Sequence, residues 1–453
     1  MKMEQSQKPD VILSNMLWLR KTLLTGSTCD VLKRNNTFVG RATGPDLTPP
    51  IVHAYVDQGE YLGLPRERRT QVNWPITDKT VFKGVVWPKF SGTFRTGQDD
   101  SVNDIVSYLT SGNYGVRLSA PTGSGKTVMG VSVAAALGAR TLVLCHKEDL
   151  CGQWHNTVNT FYSGARLGHV QGNDWLYANT HLTTAMVQTL YSRRNSIPPE
   201  FFKSFDLVLV DEGHRMAADT FEYVIKCMPA KYRLAVSATW RRADNLNILW
   251  DVHVSPHVVV HNVDQLSGKY AVAHLPILIP LSARMPWARA LNMIASNDNY
   301  NEWLSGEICK AAKANRKVLV LSDRIKQLET LRAKVDIKLR SEGVTKTTAY
   351  YVGTLNGKPM TSFEKASAKA ADIILATYGA CSEGTDIKEL DTLFFASPRG
   401  DIEQALGRIR RIAEGKKSLL VVDPHLVGHP VLTSTAAKRI QAYSRLGFTP
   451  QHG

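Results

Sequence analysis

The stretch Ala120-Pro121-Thr122-Gly123-Ser124-Gly125-Lys126-Thr127 decides the fold of this chain. A short apolar run, VRLSA at 116–120, leads into it, and a run of small and apolar residues, KTVMGVSVAAALG at 126–138, leads out of it. The glycines allow backbone N–H groups to wrap around a phosphate, and the first turn of a following helix adds the positive end of its dipole. The sequence therefore predicts a strand, a phosphate-binding loop and a helix in series.

The loop residues have different roles in holding a nucleotide. Lys126 supplies a positive charge for the β- and γ-phosphates, and Thr127 supplies a hydroxyl ligand for Mg²⁺. The other positions of the cradle are Pro121, Thr122, Gly123, Ser124 and Gly125. Ala120 occupies the first position, where the usual pattern has glycine. The alternative is a turn rich in Gly and Ser before an ordinary helix, and the placement between a strand and a helix argues against it.

Segments typical of strands and of helices alternate around this loop from about residue 91. The strand-like segments are apolar runs bounded by polar residues, which suit parallel strands buried on both faces. They are VRLSA (116–120), TLVLCH (141–146), DLVLVDE (206–212), RLAVSAT (233–239), KVLVLS (317–322), TAYYVG (348–353), DIILATY (372–378), TLFFAS (392–397) and SLLVVD (418–423). We therefore predict an α/β fold with two tandem parallel-sheet domains, 91–268 and 269–453, each with helices on both faces of its sheet.

Residues 1–90 differ in texture from the rest of the chain. They contain the basic run PRERR at 65–69 and a β-like stretch, VFKGVVW at 81–87, but no catalytic pattern. We predict a small α+β or β-rich accessory domain that recognises the substrate. The arginines of the basic run, Arg66, Arg68 and Arg69, are candidates for contacts with DNA phosphates. The alternative is that they lie on a solvated loop.

Two adjacent carboxylates follow the buried run DLVLV. Asp211 can hold Mg²⁺, usually through water, and Glu212 can act as the general base toward an attacking water. The tetrapeptide D-E-G-H alone is also compatible with a solvated strand end. Its position 85 residues after Lys126, in an alternating α/β chain, favours the catalytic interpretation.

An arginine-rich segment, QALGRIRR at 404–411, lies in the second predicted α/β domain. Arg408 and Arg411 are three residues apart and share one face of a helix. From that face they can stabilise negative charge on a γ-phosphate in the transition state, which is arginine-finger chemistry. Arg410 is expected to point toward solvent or DNA. The alternative is an ordinary basic helix face.

The net charge of +15 is concentrated at the two ends of the 453-residue chain. It amounts to +5 over residues 1–90, zero over 91–268 and +10 over 269–453. This distribution indicates a polyanionic partner such as nucleic acid, and the alternative is a basic protein that is merely soluble. No apolar run reaches the ~18 residues that cross a bilayer, and the N-terminus lacks the apolar core of a signal peptide. The six cysteines form no C-x-x-C pair, which fits a reducing compartment.

The loop, the carboxylate pair and the arginine segment, in this order, resemble superfamily 2 (DExH-box) helicases and translocases. The resemblance covers about residues 95–425. The D-E-G-H box, the compact second domain and the short N-terminal module are most similar to phage branch-migration DNA helicases of the UvsW-like type and to RecG/XPB-type translocases. The resemblance implies two RecA-like domains with ATP and Mg²⁺ bound between them.

The resemblance also assigns roles to residues that carry no signal by themselves. Arg95 and Gln98 match the adenine-reading Q motif, and Gly384 and Asp386 match an element that approaches the nucleotide. Gln404 fixes the register of the arginine segment. The residues expected to couple hydrolysis to movement are His214, Ser237 and Thr239, and those expected to contact the nucleic-acid backbone are His146, Lys147, Gln188, Thr189 and Thr377. One departure from the family pattern is Trp240, which follows Thr239 where proline is common.

The activity implied by the resemblance is that of an ATP-dependent DNA helicase acting on forks and Holliday junctions in replication, recombination or repair. The expected protein is a monomer in the cytoplasm, or in the host cytoplasm if it is phage-encoded. Two alternatives stay open: an RNA helicase, and an ATPase clamp that binds nucleic acid without unwinding it. RNA use depends on contacts to the 2′-OH, which the sequence does not reveal.

Overall fold

The structure is a computed structural model that divides into two compact units, Met1–Val263 and Asp264–Gly453. The backbone, but not the side chain, is described for His274, Ser362, Ser382 and Gln404. The described residues are 9–42, 48–121, 123–213, 216, 218–240, 242, 244–262, 268–274, 279–355, 357–382, 387–410 and 415–451. Among them, no helix combines the length and the hydrophobicity needed to cross a membrane.

The N-terminal part of the first unit is β-rich, as predicted. Its elements are β1 (Val11–Leu13), β2 (Leu17–Arg20), α1 (Gly26–Asn35), β3 (Thr37–Val39), β4 (Ile51–His53), β5 (Val56–Gln58), β6 (Tyr61–Leu64) and β7 (Thr77–Asp78). Five of these strands form one sheet in the order β5-β6-β2-β1-β7, and β3 pairs with β4 as a separate antiparallel hairpin. Buried residues alternate with partly exposed ones along β1 and β2, and the buried ones form a small core with β6.

Arg66 shows that both interpretations of the basic run were wrong for this residue. A 3₁₀ helix, Arg66–Gln71, follows β6, and the Arg66 side chain is fully buried. Its Nη1 donates to the carbonyl of Ala230 (2.6 Å) and its Nη2 to the carbonyl of Lys231 (2.8 Å). Burial lowers the pKa of Arg66 to about 10. The guanidinium therefore fastens the N-terminal part to the rest of the first unit.

The other two arginines of the run are also used inside the protein. Arg68 Nε donates to Asn36 Oδ1 over 2.9 Å. The Arg69 guanidinium lies over the Tyr114 ring, 4.8 Å from its centroid, and the side chain is 16% exposed. A solvated loop would leave both groups free, so the alternative interpretation fails for them as well.

Replacing Arg66 with alanine is expected to lower the free energy of unfolding by about 3 kcal/mol, because two buried carbonyls lose their donors. Urea denaturation of the Arg66→Ala protein measures this loss. Arg34→Ala is the control, since Arg34 is exposed on α1 and its removal should change the stability by less than about 0.5 kcal/mol. Equal stability of the two variants would contradict the anchoring role.

A segment without helices or strands, residues 82–95, connects the N-terminal part to the first α/β sheet. The predicted β-like stretch at 81–87 is therefore wrong, apart from a single bridge between Val81 and Ala230. The buried carboxylate of Asp206 accepts the N–H groups of Lys83 (2.6 Å) and Gly84 (3.1 Å). These bonds to a side chain replace the ladder that a strand would form.

The first α/β sheet has eight strands in the order β11-β10-β12-β9-β13-β14-β8-β15, and only β11 is antiparallel to its neighbour. Its strands are β8 (Gly115–Ser119), β9 (Thr141–Cys145), β10 (Leu167–Gln171), β11 (Asp174–Leu176), β12 (Leu182–Met186), β13 (Leu207–Asp211), β14 (Tyr232–Ser237) and β15 (Val258–Val260). The helices around it are α2 (Gln98–Thr110), α3 (Lys126–Ala136), α4 (Glu148–Phe161), α5 (Val187–Ser192), α6 (Pro199–Phe202), α7 (Ala218–Cys227) and α8 (Ile248–His253). Separate apolar clusters bury the central strands.

The second unit contains a parallel sheet of seven strands in the order β18-β21-β17-β22-β23-β16-β24. Its strands, with a small β19–β20 hairpin, are β16 (Gly268–His274), β17 (Val318–Ser322), β18 (Thr348–Tyr351), β19 (Thr354–Leu355), β20 (Lys358–Pro359), β21 (Ile373–Thr377), β22 (Thr392–Phe395), β23 (Leu419–His425) and β24 (Thr449–Pro450). Its helices are α9 (Trp287–Ser296), α10 (Asp298–Lys313), α11 (Ile325–Ser341), α12 (Ser362–Ala370), α13 (Tyr378–Ser382), α14 (Glu403–Ile409) and α15 (Pro430–Arg445). The predicted fold class, tandem RecA-like domains after a β-rich N-terminal region, is confirmed.

Candidate ATP site and nucleic-acid interface

The phosphate-binding loop lies between β8 and α3, where the sequence predicts it. Gly123 and Gly125 have φ angles of 82° and 92°, a conformation that suits glycine. A Cβ atom on Gly125 would lie only 2.2 Å from Gln98 Nε2. Ser124 Oγ is buried and has no hydrogen-bond partner among the described residues. Thr122 lies outside those residues.

The two Q-motif residues brace this loop directly. Gln98, the first residue of α2, donates from Nε2 to the Ser124 carbonyl (2.6 Å), and its Oε1 accepts the N–H of Arg95 (2.9 Å). The Arg95 Nη1 donates to the Gly123 carbonyl over 3.1 Å. The Gln98 amide is thus engaged by the protein itself, and the predicted contact with adenine stays a prediction.

The predicted lysine, the predicted base and the segment Ser237-Ala238-Thr239 (the S-A-T element) come together at one point. Lys126 Nζ lies 2.5 Å from Glu212 Oε1, and both side chains are largely buried. Ser237 Oγ lies 3.2 Å from Glu212 Oε2 and 2.5 Å from the Thr239 carbonyl, and it accepts the Thr239 N–H. Lys126 and Glu212 are 86 residues apart in the sequence, and Glu212 and Ser237 are 25 residues apart. They meet because β8, β13 and β14 end at the same edge of the sheet.

Glu212 is held in an uncommon backbone conformation. Its φ angle is +47°, which is rare for a residue other than glycine, asparagine or aspartate. The next residue, Gly213, packs so closely on Trp250 that a Cβ atom would come within 2.1 Å of Cη2. Such a turn directly after a buried strand persists only when its surroundings over-determine it.

Asp211 is buried at the end of β13, and its carboxyl group has a partner that the sequence did not reveal. Trp154 Nε1 donates to Asp211 Oδ2 over 2.9 Å. Burial raises the pKa of Asp211 to about 6, and the nearby charge of Glu212 adds to the shift. Lys126 and the Trp154 N–H act in the opposite direction. The ionised form needed for Mg²⁺ therefore depends partly on the indole.

Replacing Trp154 with phenylalanine is expected to move the acid limb of the ATPase pH profile upward by about one pH unit. The folded-state pKa of Asp211 is already raised, so activity that needs the carboxylate falls as the pH drops through about 6. A hydrogen bond to a charged group contributes about 1.5–3 kcal/mol, and 1.36 kcal/mol corresponds to one pKa unit. The rate is measured against pH at subsaturating Mg²⁺.

Trp87→Phe is the matched control for this variant. The Trp87 indole also donates to a protein oxygen, the Ala139 carbonyl (3.0 Å), but it has no bond to Asp211. The control should keep the wild-type acid limb. If Trp154→Phe also keeps it, the indole does not support the carboxylate.

The residues predicted to contact nucleic acid follow two strands at the same edge of the first sheet. His146 and Lys147 come after β9, and Gln188 and Thr189 lie in α5, directly after β12. Gln188 Nε2 donates to the His146 carbonyl over 3.0 Å, so the two segments touch. Ligands of open parallel sheets bind outside the carboxyl ends of the strands. The edge thus carries both the ATP-site residues and the predicted nucleic-acid contacts.

The second unit holds the other predicted site residues. Thr377 ends β21, and its Oγ1 accepts the Ala380 N–H over 3.4 Å. Arg408 lies on α14 and is only 7% exposed. Arg410 is half-buried, with its guanidinium over the Phe448 ring, so it does not point freely toward solvent as expected. Besides Thr122, the predicted residues of both units that lie outside the described part are His214, Gly384, Asp386 and Arg411, together with the side chain of Gln404.

The first unit has the features that ATP and Mg²⁺ require. The glycine cradle and the buried, unpartnered Ser124 hydroxyl fit a phosphate group, and Lys126 lies next to them at the start of α3. The hydroxyl of Thr127 and the carboxylate of Asp211 are hard oxygen ligands of the type that Mg²⁺ prefers.

Comparison with known proteins agrees with this geometry. Residues 91–242 match the family model of the type III restriction enzyme res subunit. A fragment of an HsdR-type subunit of a type I restriction enzyme from Vibrio vulnificus has the same fold, with a TM-score of 0.55 and 16% identity over 80% of this chain and 69% of that chain. The fold, the order of the motifs and the family match over residues 91–242 bear out the resemblance to superfamily 2 helicases.

The chain is also similar to viral and phage helicases and to XPB translocases. A mimivirus protein that carries the name ATP-dependent RNA helicase is 24% identical over 82% of this chain and 72% of its own length. A protein of Escherichia phage T5 that carries the name helicase is 27% identical over 72% and 71%. The DNA 3′-5′ translocase XPB2 of Sulfurisphaera tokodaii is 28% identical over 33% of each chain.

Proposed function

We propose that the chain is an ATP-dependent DNA helicase or translocase that unwinds or branch-migrates forks and four-way junctions in replication, recombination or repair. The observation that carries the proposal is the contact of Lys126 with Glu212 and of Glu212 with Ser237, at the sheet edge that also holds Gln188 and His146. Hydrolysis and nucleic-acid binding are thereby assigned to one edge of one sheet.

The site residues divide the chemistry among them. Lys126 is placed to bind the β- and γ-phosphates, and Glu212 beside it is placed to accept a proton from the attacking water. Thr127 and Asp211 would hold Mg²⁺, which supplies charge neutralisation on the phosphates. The Ser237 hydroxyl contacts both Glu212 Oε2 and the Thr239 carbonyl. A change in the protonation of Glu212 therefore changes the hydrogen bonding of Thr239. The roles of His214, Gln404, Arg408 and Arg411 in this cycle remain predictions.

The hydrogen bond between Gln188 and His146 supports a continuous nucleic-acid track on the first unit. The carbonyl that accepts this bond belongs to the residue before Lys147, whose charge suits a phosphate. Thr189 Oγ1 accepts the N–H of Gly172 (3.2 Å), which extends the ordered surface to the turn between β10 and β11. With a net charge of +15, the chain suits a polyanionic partner.

The choice of DNA rests on the similarity to an XPB DNA translocase and on the resemblance to branch-migration helicases. The second candidate is an RNA helicase, which the name of the mimivirus relative favours. A clamp that hydrolyses ATP without unwinding uses the same site residues. We propose that the protein acts as a monomer.

The test is a panel of nucleic acids: single-stranded DNA, duplex, fork, four-way junction and RNA, each with a labelled strand. ATP hydrolysis and strand separation are followed in parallel. Forks and junctions are expected to give the strongest stimulation and the fastest separation. Stimulation of ATP hydrolysis by RNA alone would make RNA the substrate instead of DNA. Stimulation without any strand movement would favour a clamp that hydrolyses ATP without unwinding.

A further inference from the structure

Arg242 donates hydrogen bonds to the turn that follows Asp211 and Glu212. It is 5% exposed, three residues after Thr239, and its Nη2 donates to the Met216 carbonyl over 3.0 Å. Its Nη1 reaches the Gly213 carbonyl at 3.4 Å. One guanidinium thus contacts two carbonyls of the segment that directly follows Glu212. Arg242 is not among the site residues predicted from the sequence.

Arg242 is itself held in a fixed orientation by Asp244. Nε donates to Oδ1 (2.9 Å) and Nη2 donates to Oδ2 (2.7 Å), which is a bidentate pair. Such pairs fix the plane of the guanidinium as well as its position. The Arg242 N–H also donates to Asn247 Oδ1 over 2.7 Å. The side chain therefore has no alternative arrangement that keeps these bonds.

The carboxylate turn also packs against a pair of tryptophans. Trp250 packs on Gly213, and Trp240 meets Trp250 edge to face with 5.6 Å between the ring centroids. Trp240 is the residue that departs from the family pattern. Gly213, directly after Glu212 with its φ angle of +47°, is thus in contact with both Trp250 and the Arg242 guanidinium.

The N-terminal part reaches this arrangement through its β3–β4 hairpin. Arg41, just after β3, donates its N–H to the Asp244 carbonyl over 2.7 Å. A Cβ atom on Gly40 would lie 2.8 Å from the same carbonyl oxygen and 3.0 Å from Leu246 Cγ. The hairpin backbone therefore rests directly on the segment that carries Asp244 and Arg242.

We propose that Arg242, oriented by Asp244, is a positioning residue for Glu212, and that the β3–β4 hairpin keeps this pair in place. The N-terminal part then contributes to the hydrolysis step and not only to substrate choice. The inference rests on the proposed function of the ATP site. The N-terminal part is then linked to the ATP site by one ion pair, Arg242–Asp244, and by one backbone hydrogen bond, from the Arg41 N–H to the Asp244 carbonyl.

The test uses Arg242→Lys, Asp244→Asn and Gly40→Ala, with single-stranded DNA as the stimulating probe. Lysine keeps the charge but cannot make the four contacts of the guanidinium, and asparagine removes one charged acceptor. We expect kcat for ATP to fall roughly 10–100-fold in the first two variants, as for small misplacements of a reacting group. Since the phosphate loop is not changed, the KM for ATP should stay within about twofold. Gly40→Ala should also lower kcat, by a smaller factor, and leave the KM for ATP within about twofold.

Arg439→Lys separates positioning from stability. Arg439 is another buried arginine with an aspartate partner, since its Nε donates to Asp423 Oδ2 (2.9 Å) and its Nη1 to the Arg399 carbonyl (3.3 Å), and it lies on α15 of the second unit. This control should lose thermal stability but keep the wild-type kcat below its melting temperature. Wild-type kcat in Arg242→Lys and Asp244→Asn would overturn the inference, and so would an equal loss in Arg439→Lys. A wild-type chain that hydrolyses no ATP would instead overturn the proposed function.

Discussion

Replacement of Lys126 by alanine is expected to lower the rate of ATP hydrolysis roughly 10²–10³-fold, the loss measured when one charge-stabilising donor is removed from an active site. The ammonium group lies at the start of α3, beside the glycine cradle, and it is 2.5 Å from Glu212. No other lysine of the described loop can supply charge to the phosphates. Steady-state hydrolysis with saturating single-stranded DNA measures the effect.

Lys203→Ala is the control for Lys126→Ala. Lys203 is 57% exposed and pairs with Glu200 one helical turn away, so its loss should leave hydrolysis unchanged. Binding of single-stranded DNA should survive in both proteins, because the predicted contacts follow β9 and β12 instead of β8. Undiminished hydrolysis in the Lys126→Ala protein would remove the assigned ATP site.

Glu212→Gln should reduce hydrolysis roughly 10²–10⁴-fold, the range that a positioned general base contributes. Glutamine preserves the size of the side chain, its one carbonyl oxygen can still accept from Lys126, and its NH₂ group can donate to the Ser237 hydroxyl, so the turn should stay folded. What it loses is the ability to take a proton from water. ATP should therefore bind but persist unhydrolysed, which a single-turnover measurement with labelled ATP detects.

Glu200→Gln is the matched substitution, since Glu200 is 76% exposed and lies on α6. It should behave as the wild type in the same single-turnover measurement. If Glu212→Gln releases phosphate at the wild-type rate, a different group activates the water and the assignment of Glu212 is wrong.

The core strands of both sheets follow from the sequence because their signal is local. β9, β13, β17 and β21 are continuous apolar runs, and each begins and ends within one residue of the predicted run. Burial on both faces makes such runs apolar throughout, so no information from distant residues is needed. The same holds for the loop at 120–127, where glycine and lysine spacing already defines the chemistry.

The elements that the sequence missed depend on distant partners. β16 has the sequence GKYAVAH, whose apolar stretch is only four residues long, and it becomes a strand by pairing with β23, about 150 residues further along the chain. Arg66 belongs to a run that reads as solvated, and it is buried because two carbonyls near residue 230 need donors. Charge patterns alone do not distinguish an arginine that binds DNA from one that fastens two parts of a protein.

The site was predictable in its motifs but not in its supports. Lys126, Glu212 and Ser237 converge as their motifs imply. Trp154 gave no signal, since it lies 57 residues before Asp211 in a segment assigned to nucleic-acid contacts. Arg242 stands close to the S-A-T element, and a basic residue at a fixed distance from that element is the one signal that could have identified it.

The most direct test of the account is ATP-dependent separation of a labelled DNA fork by the wild-type chain, run beside Lys126→Ala. If the proposed function is right, the wild-type chain separates the strands only when ATP and Mg²⁺ are present. The Lys126→Ala variant then binds the fork without separating it. Wild-type protein that binds the fork but neither hydrolyses ATP nor moves a strand would contradict it.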